Sequence, residues 1–178
     1  DDSCSMEEEQ ETLATGFNTF TSQMEQSGTD FHIGVITTSF DYADPNRGKL
    51  IGDPPYLTAD DDYEALFFER AQVGVLGSDK EKGLEAAVYA LSPTMTVGPN
   101  AGFLRAAAQL LVVVVSDEED CSDEGALEGQ PAGACYTDMD ALVPVSEYVS
   151  DLRDTKTDRD LVQLGAIVGT TDASCQDV

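Results

Sequence analysis

The chain has 178 residues and carries 35 Asp and Glu against 9 Lys and Arg, a formal net charge of −26. That surplus repels nucleic-acid phosphates and anionic membrane surfaces, so neither is expected as a partner. It suits a secreted protein or one that holds cations, although most acids in such a composition simply solvate the surface.

The chain opens on DDSCSMEEEQ. Asp1, Ser3 and Ser5 set oxygen donors at alternate positions of one tight loop, which is what a hard divalent cation takes. Leu13, Phe17, Phe20 and Met24 then recur at helical spacing and predict an amphipathic helix over about 6–27, ending near Gly28. Its first turn holds Glu7, Glu8 and Glu9, matched to the positive end of the helix dipole. The short β-branched run in DFHIGVITTSFD predicts a buried strand at about 31–39. A long excursion rich in Pro and Gly follows over 40–62, with one short strand near 49–51 and an acidic run, Asp60 to Asp62, that fits a helix start or a second Ca²⁺.

A second helix is expected at about 61–73, with Tyr63, Leu66, Phe67 and Ala71 inward, and a third at about 79–92, with Leu84, Val88 and Leu91 on one stripe. SPTMTVGPNAGFLR reads as loop. AAQLLVVVVSDEEDCS holds the most apolar strand, at about 109–116, and ends abruptly in acid. A fourth helix is expected at about 138–154, with Leu142, Val145, Tyr148, Val149 and Leu152 inward, and a last strand at about 161–169. Strands alternating with helices predict an α/β fold, an open and mostly parallel sheet covered by helices on both faces. No repeat or linker divides the chain, so 1–178 reads as one domain, long enough to bury roughly 70% of its unfolded surface.

Four cysteines outside any C-x-x-C pair argue for an oxidising, extracytoplasmic compartment and against a zinc site. Cys121 and Cys135 bracket a polar stretch rich in Gly and read as a stapled loop, whose closure is worth about 3 kcal/mol. Cys4 and Cys175 would then be left for each other. The longest apolar run, LLVVVV, is far too short to cross a bilayer, so no membrane insertion is expected.

In open α/β sheets, ligands bind beyond the carboxyl ends of the strands. SDEEDCS lies at such a place, and so would DDSCS if a strand preceded it. The blocks DDSCSMEEEQ, IGVITTSFD, GSDKEKGLEAA, FLR and VVVVSDEEDCS, in that order, resemble the von Willebrand factor A (integrin I-like) domain, and more narrowly the exported proteins of this type from myxobacteria-like bacteria. The resemblance covers nearly the whole chain. It implies a metal-ion-dependent adhesion site: Ser3 and Ser5 binding the ion through their hydroxyls, and Asp1 and Asp117 holding it directly or through water. The ion would be Mg²⁺ first, with Ca²⁺ or Mn²⁺ as alternatives. The family's threonine from a third loop has no counterpart; Ser78, beside Asp79, stands nearest, and Glu81 could substitute.

In the family, a carboxylate from a protein or surface ligand completes the site, so the resemblance implies adhesion or assembly, homomeric or heteromeric, without covalent chemistry. It also implies an apolar strand just before Asp1 and a helix after TTDASCQDV, so the chain is expected to be truncated at both ends. The strand would come from the parent chain upstream, or as a last option from another chain.

Three other readings stand beside this one. Asp1 and Ser3 also fit a plain cap of the first helix, with Asp117 to Asp120 a polar loop. A structural subunit of a surface assembly needs no functional metal. A metal-dependent hydrolase is the weakest: the chain has one histidine, His32, placed inside a predicted strand, and no G-x-S-x-G elbow or phosphate-binding loop. Cys4, beside a helix start, could be a nucleophile, but a disulfide suits it better. The expectation is therefore a protein that is not an enzyme.

Overall fold

The computed structural model describes residues 1–168. The pairing of Cys4 with Cys175 and the helix expected after TTDASCQDV lie outside the described residues. In chain order the elements are helix α1 (Glu7–Ser27), α2 (Tyr63–Ala71), α3 (Gly83–Ala90), a short α4 (Pro93–Thr96), strand β1 (Leu110–Ser116), a short α5 (Ala134–Thr137), α6 (Val145–Asp154) and strand β2 (Val162–Val168).

The α/β class holds in a coarse form. β1 and β2 pair in parallel, from Leu110 opposite Val162 to Ser116 opposite Val168, and make a sheet of two strands. The segment 31–39 is not a strand. It carries isolated bridges, Ile33 to Leu57 and Ser39 to Glu81, and Val35 accepts from the Ile51 nitrogen. Between Ile51 and Leu57 the facing chain reads Gly52, Asp53, Pro54, Pro55 and Tyr56. Two prolines without N–H groups interrupt any ladder there, and the strand expected at 49–51 is absent because the Lys49 and Leu50 nitrogens donate to the Asn46 carbonyl and to Asn100 Oδ1 instead.

α1 packs on α2 over a core of Ala14, Phe17, Phe31, Leu57, Tyr63, Phe67 and Ala71. The Phe17 and Phe67 rings stack at 3.4 Å. The buried stripe of α1 differs from the expected one: Met6, Gln10, Ala14, Phe17 and Thr21 face inward, and Phe20 is 48% exposed. Buried Gln10 and Thr21 kept this face out of a purely apolar pattern. A second core joins α3, α6, β1 and β2 through Ala87, Leu91, Leu110, Leu152 and Val162. Helices cover one face of the pair, while Leu111, Val113 and Ile167 on the other are exposed, so among the described residues only one face carries the expected cover.

α3 begins at Gly83 rather than 79, and α6 at Val145 rather than 138. Pro144 sets the start of α6, since a proline fits at a helix entrance but not inside. Val145 is exposed, while Tyr148 and Leu152 are buried as expected. Cys121 and Cys135 form the expected disulfide, with Cα atoms 5.5 Å apart, and pack with Leu127 and Ala134 in a third small core.

Candidate metal centre

The opening loop is fastened before it becomes α1. Gln10, buried on the first turns of that helix, donates from Nε2 to the Asp1 carbonyl at 2.9 Å and to the Gly74 carbonyl at 2.8 Å. The Gly77 nitrogen donates to the Asp2 carbonyl at 2.7 Å. The Asp1 nitrogen donates to the Val115 carbonyl at 3.1 Å, which sets the loop at the carboxyl end of β1.

Asp1 has a filled carboxylate. Its Oδ1 accepts from the Ser3 nitrogen at 2.8 Å and from Thr38 Oγ1 at 3.4 Å, and its Oδ2 accepts from Ser116 Oγ at 2.6 Å. None of these donors belongs to α1, so Asp1 is not a cap of that helix. The Ser3 and Ser5 hydroxyls lie 3.4 Å apart. Asp2, absent from the expected set, is buried and binds the Ser39 nitrogen and hydroxyl at 3.2 and 2.9 Å.

Asp117 follows β1 directly. Both of its carboxylate oxygens are buried and, among the described residues, without a hydrogen-bond partner. Glu81 is 2% exposed and its Oε1 is likewise unpartnered. Burial first, and then the charges of Glu118, Asp117 and Asp79, push the Glu81 carboxyl up from its ordinary 4.5 to about 7. Thr38 donates to Asp1 while its neighbour Ser39 bridges Glu81, and the Asp1 nitrogen reaches Val115 two residues before Asp117, so the three residues share one end of the fold. The two nearest lysines are spoken for: Lys80 Nζ donates to the Leu127 carbonyl at 2.8 Å, and Lys82 Nζ to Asp123.

Ser78 stands on the flank of this cluster. Its nitrogen donates to Ser39 Oγ at 2.7 Å and its hydroxyl accepts from the Lys80 nitrogen at 3.0 Å. The third loop therefore turns Glu81 inward. Asp120 accepts from the Leu84 nitrogen at 2.9 Å and the Ser122 nitrogen at 3.0 Å, and so caps α3. Asp61 accepts from the Thr58 nitrogen and hydroxyl at 2.8 and 2.9 Å, and those bonds hold its carboxyl below the usual range. That is a turn closing before α2, and it accounts for Asp61, while Asp62 stands at the helix start without a side-chain capping bond.

Thr38, Ser39 and Ser116 were missed as parts of the site. Only Ser116 had a visible signal, as the hydroxyl ending an apolar strand.

The donor set suits a hard cation. Buried carboxylate oxygens without partners are costly, and a divalent ion is one way to satisfy several at once. Among the described residues no three His, Cys, Asp or Glu side chains gather closely enough to hold an ion unaided. The one histidine serves packing: His32 stacks on Tyr56 at 4.3 Å and its Nδ1 lies 3.0 Å from the Phe103 carbonyl. No described helix is long and apolar enough to cross a membrane. No family model, curated protein or solved structure matches the chain.

Proposed function

We propose that this is an extracytoplasmic, von Willebrand factor A-like domain that holds a divalent cation at one end of its sheet and uses it to recognise a carboxylate on a partner protein or surface. The observation that carries this reading is Asp117, whose two buried oxygens have no donor among the described residues. Ser3 and Ser5 would bind the ion with their hydroxyls, and Asp117 and Glu81 would supply its charge. Asp1 would position the loop through Ser116 and Thr38, or hold the ion through water. Mg²⁺ is the first candidate, because it keeps some waters and leaves a position for an outside ligand. The place of the site, beyond the carboxyl end of β1, agrees with where α/β sheets bind ligands. The open sheet of that family is part of the same proposal. The disulfide Cys121–Cys135 supports an oxidising compartment.

The test is calorimetric titration of chelator-treated protein with Mg²⁺, Mn²⁺ and Ca²⁺, for the parent and for Ser3→Ala/Ser5→Ala. Saturable binding that the double variant loses supports the site. Water-proton relaxation of the Mn²⁺ form, titrated with a short Asp-containing peptide, then reads whether a carboxylate displaces bound water. No binding by the parent would sink the reading.

A second reading, a structural subunit without a functional ion, is favoured by the filled carboxylate of Asp1. It predicts that EDTA and Asp117→Ala leave assembly unchanged. A metal-dependent hydrolase stays last, and turnover of a phosphate or ester with added Mn²⁺ would favour it.

A further inference from the structure

Behind the candidate metal centre lies a separate buried cluster. Lys82, at the entrance of α3, contacts Asp123 from the disulfide-closed loop through Nζ and Oδ1. Their side chains are 6% and 0% exposed. Glu85, one turn along α3, brings its Oε2 to 4.0 Å from the same Nζ. The Tyr42 hydroxyl bonds Glu85 Oε1, and the Tyr42 ring lies with its centroid 5.5 Å from Lys82 Nζ. Glu85 Oε2 accepts from the Asp123 and Glu124 nitrogens, both at 3.3 Å. Asp123 Oδ1 accepts from the Gly125 nitrogen at 3.0 Å and Oδ2 from the Leu127 nitrogen at 2.6 Å. An amine, a carboxyl and a second carboxyl are thus held together, shut off from water, under two backbone N–H groups.

We propose that Lys82 and Asp123 become joined by an amide bond between their side chains, formed within the folded chain. A proton passes from the Lys82 ammonium to the Asp123 carboxylate, and the free amine attacks Cγ, making the Nζ–Cγ bond. The proton lands on Oδ1, the oxygen that faces Lys82 and the Gly125 N–H, and the electron pair displaced onto Oδ2 is held by the Leu127 N–H, as a donor holds the oxyanion in acyl transfer. Glu85 takes a second proton from Nζ and hands it to the departing hydroxyl. The Cγ–Oδ bond breaks and one water leaves. The two protons lost by nitrogen are the two gained by oxygen, and no oxidant or cofactor is needed.

Two physical effects favour the step. Fixing amine and carboxyl in contact gives the high effective molarity that condensation in water otherwise lacks. A buried ion pair also carries the desolvation cost of both charges, and the neutral amide removes it. The bond ties the loop after Asp117 to α3 a second time, beside the disulfide, and does not depend on the metal.

Intact mass spectrometry of the reduced full chain tests this. The expected mass is lower than that of the sequence by one water. Trypsin then yields residues 81–105 joined to residues 106–153 as one species that survives reduction, because the amide blocks cleavage after Lys82. Lys82→Arg keeps the positive charge but should restore the full mass and separate the two peptides. Glu85→Gln should leave the bond unformed in a chain that still folds. An unmodified parent mass overturns the proposal. So does a mass deficit without the joined peptides, which would mark a succinimide at an aspartate, and so does a link mapped to Glu85 within residues 81–105.

Discussion

Ser116 Oγ donates to Asp1 Oδ2 at 2.6 Å, joining residues 115 positions apart in the sequence. This contact closes the two halves of the candidate site, the opening loop and the end of β1. No group of α1 donates to the Asp1 carboxylate, so its orientation depends on Ser116, Thr38 and the loop's own Ser3 nitrogen.

Ser116→Ala should therefore loosen Asp1 without removing a direct ligand. Partners that orient ligands typically matter about 10- to 100-fold in metal affinity. The expected result is weaker Mn²⁺ binding by calorimetry in that range, with about 1 kcal/mol lost from unfolding stability as one hydrogen bond goes. Unchanged affinity would remove Asp1 from the ion's surroundings.

Asp117→Asn separates the effects of charge and ion. In metal-free protein the buried Asp117 oxygens lack partners among the described residues and add to the field on Glu81. The amide should raise the metal-free melting temperature. The parent should gain about 2.7 kcal/mol when Mg²⁺ reaches a hundred times its dissociation constant, and the variant should gain nothing. A thermal melt with and without Mg²⁺ checks both directions.

The Glu81 carboxyl near 7, against an ordinary 4.5, makes metal-free stability depend on pH. Between those values the folded protein keeps a proton that the unfolded chain has released. Stability is therefore complete below pH 4.5 and falls as pH rises toward 7, by about 3 kcal/mol. Urea unfolding of chelator-treated protein at several pH values should show this decline, and Glu81→Gln should flatten it. A rise in stability over the same window would contradict the burial of Glu81.

Leu57 is fully buried and bridges Ile33 from the end of the proline-rich excursion. Leu57→Ala should cost about 2–5 kcal/mol by the cavity it leaves. Metal binding should survive in the folded fraction, since Leu57 packs in the core between α1 and α2. Calorimetry beside urea unfolding separates the two effects.

Local patterns announced some of the elements, though not the absence of strands at 31–39 and 49–51 or the short helix α4. The period of Leu13, Phe17 and Met24 marks α1, the run LLVVVV marks β1, and the spacing of Cys121 and Cys135 marks the staple, because each signal lies within one helix, strand or loop. Even there, neighbours decided the details: Phe20 turned outward while Gln10 and Thr21 turned in, since Gln10 found backbone carbonyls to bind and Thr21 the Phe17 carbonyl. Asp1, Ser3, Ser5 and Asp117 were legible as oxygen donors by residue type. That Ser78 spends its hydroxyl on its own turn while Glu81 is buried beside Asp117 was not legible, and neither was the meeting of Lys82 with Asp123. A side chain's period along the chain says which way it points. Its partner and its loss of water depend on segments tens of residues away, and those are set when the cores close.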